Sequence, residues 1–254
     1  MKKVFLLIAS AAMILASCEK TNNKGGIFKG PDTKVYHGKA WTWIELDEQD
    51  KPLKVAISIN DAALNSVAPA SQDDHAGGHS HDNNIVLQFH PKADATPFKH
   101  VWLNWNPNGH PPTNIYTLPH FDMHFYMVPS EERETYVDQA KLDAVPAPGY
   151  VPANHIGVDP IPAMGMHFVD LTAPELNGAQ FTQTFIFGSY DRNLIFWEPM
   201  ITLEFLKNTT SFERMLPQPA KFQQSGYYPT KMRIVKENDV TNIILDGFVY
   251  RQAS

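Results

Sequence analysis

From residue 35 onward the apolar residues come in short runs separated by turn residues, and proline recurs throughout, 20 times in 254 residues. Proline lacks an amide donor and clashes with the preceding helical turn, so its recurrence excludes long helices but fits short strands joined by ordered loops. With aromatic residues at 11% of the chain, this spacing predicts a mainly β fold in place of a helical bundle.

Residues 35–46 (VYHGKAWTWIEL) and 53–59 (LKVAISI) read as an opening antiparallel hairpin around a polar turn at 47–52. Asn60 is placed to cap a short helix running to Val67, and residues 68–84 then form a polar loop carrying His75, His79 and His81. Strands follow at 85–90, 100–105 and 120–128, the last two separated by the proline-rich loop 106–119. Ser130 is expected to cap a helix ending near Lys141, and residues 143–163 to form a long Pro/Gly-rich excursion.

Further strands are expected at 166–171, 181–188 and 193–197, the last two as a hairpin around Ser189-Tyr190-Asp191-Arg192. Residues 201–207 fit a strand or a short helix, and 231–236 with 242–250 form a closing hairpin. The total is about nine or ten strands with one or two short helices. Such a set protects its edges as an antiparallel barrel or as a two-sheet sandwich.

The start of the chain has a different character. Lys2 and Lys3 precede an apolar stretch at 4–16, and Leu15-Ala16-Ser17 places small residues directly before Cys18. The stretch is shorter than the roughly 18 to 20 residues that span a bilayer, and it matches a signal peptide with a lipobox. The expected organisation is a signal peptide at 1–17, a lipidated flexible tether at 18–33 and a single β-rich domain at 34–254. Cys18 is the only cysteine. Acylated, with palmitate the expected chain, it would anchor the protein in the cell envelope facing the periplasm, and an ordinary signal peptide with an incidental cysteine is the alternative. No thiol then remains for a disulfide or a Cys-based zinc site. The formal charge of -6, without a run of Lys or Arg, argues against nucleic acid as a partner and leaves small molecules, ions and proteins.

Any metal site must therefore use His, Asp or Glu. His120, Asp122 and His124 fall on one face of a strand, opposite Phe121, Met123 and Phe125, because side chains alternate with period two. On a flat strand His120 and His124 stand about 13 Å apart, too far for easy sharing of one ion, so a bulge or helical turn would be needed. Glu198, within Phe196-Trp197-Glu198-Pro199-Met200, is a carboxylate among large apolar groups and needs a partner. The expected ligands are His120, His124, His167 and Glu198, with Asp122 as ligand or supporting partner and zinc or another divalent metal as the ion. The alternative is a set of hydrogen-bonded structural residues, with His110 lying in a turn. No Ser-His-Asp order, phosphate-binding glycine loop or HExxH motif names a reaction.

The strings Trp105-Asn106-Pro107-Asn108-Gly109-His110-Pro111-Pro112, Pro119-His120-Phe121-Asp122-Met123-His124-Phe125-Tyr126, Met164-Gly165-Met166-His167, Gly188-Ser189-Tyr190-Asp191 and Phe196-Trp197-Glu198-Pro199-Met200 resemble a family of uncharacterised secreted bacterial proteins, a domain of unknown function. The resemblance spans roughly residues 85–205. It implies a β-rich envelope protein able to form rings or other homo-oligomers, and it gives no activity. Arg192 stands where the resemblance leads one to expect Gly. Two functions follow as expectations: an envelope lipoprotein that binds a divalent metal and through it a small ligand, or a metal-free structural or stress-response protein that self-assembles through the same region. An enzyme acting on carbohydrate or lipid has only the envelope location behind it. Catalysis at a metal would require an open coordination position, with Asp122 orienting a histidine or acting as base.

Overall fold

Strand pairing is antiparallel throughout the computed structural model, which describes residues 25–69 and 83–254. The signal peptide expected at 1–17, Cys18, the first part of the tether and the His75, His79 and His81 tract lie outside the described residues. Ten strands, numbered in chain order, fall where the sequence places them: β3 Gly38–Leu46, β4 Pro52–Asn60, β5 Asn84–Gln88, β6 His100–Asn106, β7 His120–Tyr126, β9 Gly165–Asp170, β10 Gln183–Tyr190, β11 Asn193–Thr202, β14 Lys231–Glu237 and β15 Val240–Asp246.

Six more are not expected as separate strands: β1 Gly26–Lys29, β2 Thr33–Val35, β8 His155–Ile161, β12 Ser211–Met215, β13 Gly226–Tyr228 and β16 Val249–Arg251, the last being the detached end of the strand expected at 242–250. Most are short, and all lie at the margins of their sheets, where backbone pairing holds them with little apolar alternation to announce it. Folded structure therefore begins within the stretch expected to be tether. β1 pairs with β3, Phe28 packs on the main core and Lys29 lies 4.4 Å from the Trp41 ring centroid.

The strands make two seven-stranded sheets and a two-stranded ribbon, none closed into a barrel, so of the two expected architectures the chain adopts the sandwich. One sheet runs β1-β3-β4-β15-β14-β12 with β2 beside β3; the other runs β5-β6-β7-β11-β10-β9-β8; β13 and β16 form the ribbon. At one margin the Thr42 hydroxyl donates to the Gln88 carbonyl at 2.6 Å, joining the sheets through a side chain and not through a continued ladder.

Between the sheets lies the main core, which includes Ile44, Ile57, Phe121, Met123, Phe125, Phe185, Phe187, Trp197, Ile234 and Leu245. Each such large side chain contributes about 1.5 to 3 kcal/mol when fully buried. The far face of the second sheet is covered too. One small cluster joins Tyr136 and Leu142 to Tyr126, Tyr190, Ile195 and Phe196, and another joins Tyr116 and Phe181 to Val169, Ile186 and Met200. All seven residues of β7 are consequently buried.

The α-helices are short, of four to six residues. Asn60 caps α1 (Asp61–Leu64) as expected, its side chain accepting from the Ala63 amide, but the helix stops short of Val67. The helix expected from Ser130 to Lys141 is two pieces, α2 Ser130–Arg133 and α3 Gln139–Leu142. Thr135, Tyr136 and Val137 between them are weak helix formers, and Tyr136 is instead stacked on Tyr190 with ring centroids 3.9 Å apart. Pro129, not Ser130, holds the cap position of α2, while Asp138 caps α3 through the Ala140 and Lys141 amides. The ambiguous segment 201–207 divides, β11 continuing to Thr202 and α4 (Leu203–Asn208) following with Thr202 as its cap. Within the excursion 143–163, β8 forms an edge strand.

Candidate metal centre

Alternation along β7 decides the site. Phe121, Met123 and Phe125 enter the main core, which sends His120, Asp122, His124 and Tyr126 to the far face of the sheet. The excursions bury most of that face, so its polar side chains need partners there. They gather in two groups, not in the single set expected. His110, His120 and Asp122 form one, and His124, His167 and Glu198 the other; within each, one ligand atom per residue lies within 4.8 Å of the others. The period that puts His120 and His124 on one face also keeps them four residues apart, and no bulge or helical turn brings them together.

In the first group, the Nε2 atoms of His120 and His110 lie 3.1 and 3.3 Å from the two Asp122 carboxylate oxygens. Asn106 donates to Asp122 at 2.7 Å. Burial opposes ionisation of Asp122, but the His120 and His110 imidazoles outweigh it and hold the carboxyl well below the usual range. Burial likewise works against the His110 cation, yet Asp122 raises that imidazole overall. Asp122 and His120 are sealed, whereas the His110 side chain is 34% exposed and opens the group to water.

His110 is the residue that spacing did not select. It sits on the loop between β6 and β7, ten positions before His120 and outside the period-two pattern of β7, and the only signal for it was its place in the Gly109-His110-Pro111-Pro112 string. Gly109 has φ +65°, and an added Cβ would stand 2.2 Å from the Tyr116 carbonyl oxygen, which accepts from the His110 amide at 2.9 Å. That tight return folds His110 back over His120, with ring centroids 4.7 Å apart.

In the second group His124 and Glu198 face each other across the β7–β11 ladder, Nε2 to Oε2 3.4 Å, both nearly inaccessible. His167 comes from β9, with β10 between it and β11. Its path is open because its partner on β10 is Gly188. A Cβ there would stand 1.9 Å from the Phe196 ring, which occupies the vacated face and contacts both His124 and His167. Burial lowers His124 to about 3 and also lowers His167, so both imidazoles are neutral. Burial, reinforced by Asp122, raises Glu198 well above the usual carboxyl range.

Three of the four histidines are oriented alike. The Nδ1 atoms of His110, His120 and His167 lie 2.6, 2.6 and 3.1 Å from the carbonyl oxygens of Pro111, Leu118 and Asp159. With Nδ1–H donating to a carbonyl, the Nε2 lone pair is aimed into the site, as in histidines that bind metals. The Asp159 carbonyl is placed by a register shift in β8 between Val158 and Pro160, where Asp159 has φ 45°.

Several atoms in the two groups are buried without a hydrogen-bond partner: His120 Nε2, Asp122 Oδ1, both ring nitrogens of His124 and Glu198 Oε2. A surface cavity of about 350 Å³ lies beside Leu118, Pro119 and α4, and none of the six candidate ligands lines it. Comparison of the chain with family models, curated proteins and solved structures finds no match to any of them.

Proposed function

We propose that this protein is an envelope lipoprotein, anchored through Cys18, whose β-sandwich binds a divalent metal ion at His124, His167 and Glu198. One observation carries the metal assignment. His124 Nε2 and Glu198 Oε2 are buried, lack hydrogen bonds and stand 3.4 Å apart. Metal bonds of about 2.0 to 2.2 Å in a tetrahedral site put neighbouring ligand atoms roughly 3.3 to 3.6 Å apart. The separation therefore matches an edge of such a site better than it matches a hydrogen bond.

Without an ion each unpartnered buried atom costs about 1 to 3 kcal/mol. A bound dication would draw the Glu198 carboxylate and the two imidazole lone pairs to itself, and would add Lewis acidity at the sheet face. Two imidazoles and one carboxylate suit zinc, and also iron, cobalt or nickel. The site's closure favours a retained ion over one that turns over with solvent.

Elemental analysis of the purified protein tests the metal reading, with one tightly held ion per chain expected and loss of that ion in His167→Ala with the fold retained. A metal-free wild type that binds no added zinc overturns it. Cys18 is tested separately: acyl labelling and membrane fractionation should both be lost in Cys18→Ser, and a soluble, unlabelled wild type would remove the anchor from the proposal. The metal-free structural reading draws on Asp122, which already has two imidazoles and the Asn106 amide around it. On that reading the same face ties loops together and supports self-assembly.

A further inference from the structure

We propose that the chain has a second and separately loaded metal site at His110, His120 and Asp122, open to solvent, next to the sealed one. The inference rests on the reading of His124, His167 and Glu198 as a metal site only in that the two would be neighbours; its own geometry stands alone. His120 Nε2 and Asp122 Oδ1 are buried 3.1 Å apart with no other hydrogen-bond partner, and His110 Nε2 lies 3.3 Å from Asp122 Oδ2. Both separations are close to the roughly 3.3 Å edge of a four-coordinate site with metal bonds near 2.0 to 2.1 Å. The Nδ1 atoms of His110 and His120 are each engaged by a backbone carbonyl at 2.6 Å, which leaves both Nε2 lone pairs for an ion.

The two sites differ in access and in linkage to the fold. Every ligand of the sealed site sits on a strand: His124 on β7, His167 on β9 and Glu198 on β11. In the open site His110 comes from the loop between β6 and β7, and its side chain is 34% exposed. An ion there can enter and leave by movement of one loop, and three protein ligands leave coordination positions for water or a small anion. Asp122 and His124 are two residues apart on one strand, a separation of about 6.6 to 6.8 Å. A bridged two-metal centre needs its ions about 3.5 to 4 Å apart. No residue belongs to both groups, so the two ions would be neighbours with separate ligand sets and no bridging side chain.

Two carboxylates and four neutral imidazoles holding two dications would leave a net charge of +2 over the two ligand sets, offset in part by the nearby Asp159 carboxylate. A small anion such as a carboxylate or phosphate is the class of ligand that charge favours at the open positions.

The test is titration of the metal-stripped full-length protein with cobalt(II), followed by the visible spectrum, alongside zinc analysis of wild type, His110→Ala and His167→Ala. Two equivalents are expected, with two successive spectral changes, a chelator removing one ion well before the other. Each variant should retain one ion, His110→Ala the slowly exchanging one. One ion lost in His167→Ala and kept in His110→Ala overturns the second site and leaves the proposed function standing. One ion lost in both variants means a single shared site and also overturns it. One ion lost only in His110→Ala sustains the open site and overturns the sealed one. No ion in any form removes both. The wild-type cobalt titration needs no variant to fold and decides the stoichiometry by itself.

Discussion

His124 and Glu198 oppose each other on adjacent strands, 3.4 Å apart at their nearest polar atoms, with side chains 1% and 2% exposed. An acid and a base this well shielded from water cannot both carry charge cheaply, and the pair settles as neutral imidazole beside a carboxyl that resists ionisation.

The first prediction concerns Glu198→Gln in metal-free protein. Because the folded pKa is raised above the ordinary 4.5, the folded state keeps a proton that the unfolded chain releases. Stability from this group is present below that value and is lost as pH rises, by up to about 1.4 kcal/mol per pH unit. Glutamine cannot ionise. Urea unfolding in a chelator should show the variant more stable than wild type at pH near 8, with the two converging toward pH near 4. Parallel profiles would contradict the raised pKa. With zinc present the order should reverse, since the wild type alone keeps its carboxylate ligand.

His100 offers a second test away from the proposed ligands. Its ring stacks on Tyr126 with centroids 5.0 Å apart, and burial, helped by Arg133 and opposed by the Val128 backbone, lowers its pKa from 6.5 to about 4. The unfolded chain then takes up a proton first as pH falls, so stability is lost between those two values. His100→Phe keeps the stacking and removes the titration. Its loss of stability between pH 6.5 and 4 should be shallower than that of wild type, by up to about 1.4 kcal/mol per pH unit, in denaturant melts.

Gly188→Ala should disturb the sealed site from a strand that contributes no ligand to it. The added methyl group would sit 1.9 Å from the Phe196 ring, so the ring must move toward His124 and His167. A destabilisation of about 1 to 3 kcal/mol is expected from overpacking, together with weaker ion retention. Unchanged melting and unchanged metal content would mean that the glycine does not keep this face open.

Arg192→Gly is expected to stabilise the protein. The β10–β11 hairpin turns on Asp191 and Arg192 with φ of 46° and 67°, the arrangement for which glycine at the second position is favoured. Arginine there strains the backbone, its side chain is 71% exposed, and the turn's contacts with Ala144 and Gln223 are made by backbone atoms that glycine retains. A gain of about 0.5 to 1 kcal/mol in chemical denaturation is expected, and a loss would show that the side chain has a role the contacts do not reveal.

The sequence by itself determined the β class, ten of the strand positions and the split of β7 into an apolar face and a His-Asp-His face, because these follow from period-two alternation within a single segment. It also singled out Glu198, since a carboxylate among Phe196, Trp197 and Met200 demands a partner wherever the chain places it. Marginal strands such as β1 and β8 carry no such signal in the sequence, because backbone pairing to a neighbour, not alternation, holds them.

Tertiary structure alone decided how the polar residues divide. His167 reaches Glu198 only because β9 lies across from β11 with Gly188 between, and His110 joins Asp122 only because the Gly109 turn folds its loop back over β7. Neither adjacency has a period in the chain, since each joins segments brought together by sheet order and loop closure. Spacing along one strand nominates ligands; the partners they meet are set by which strands and loops lie beside it.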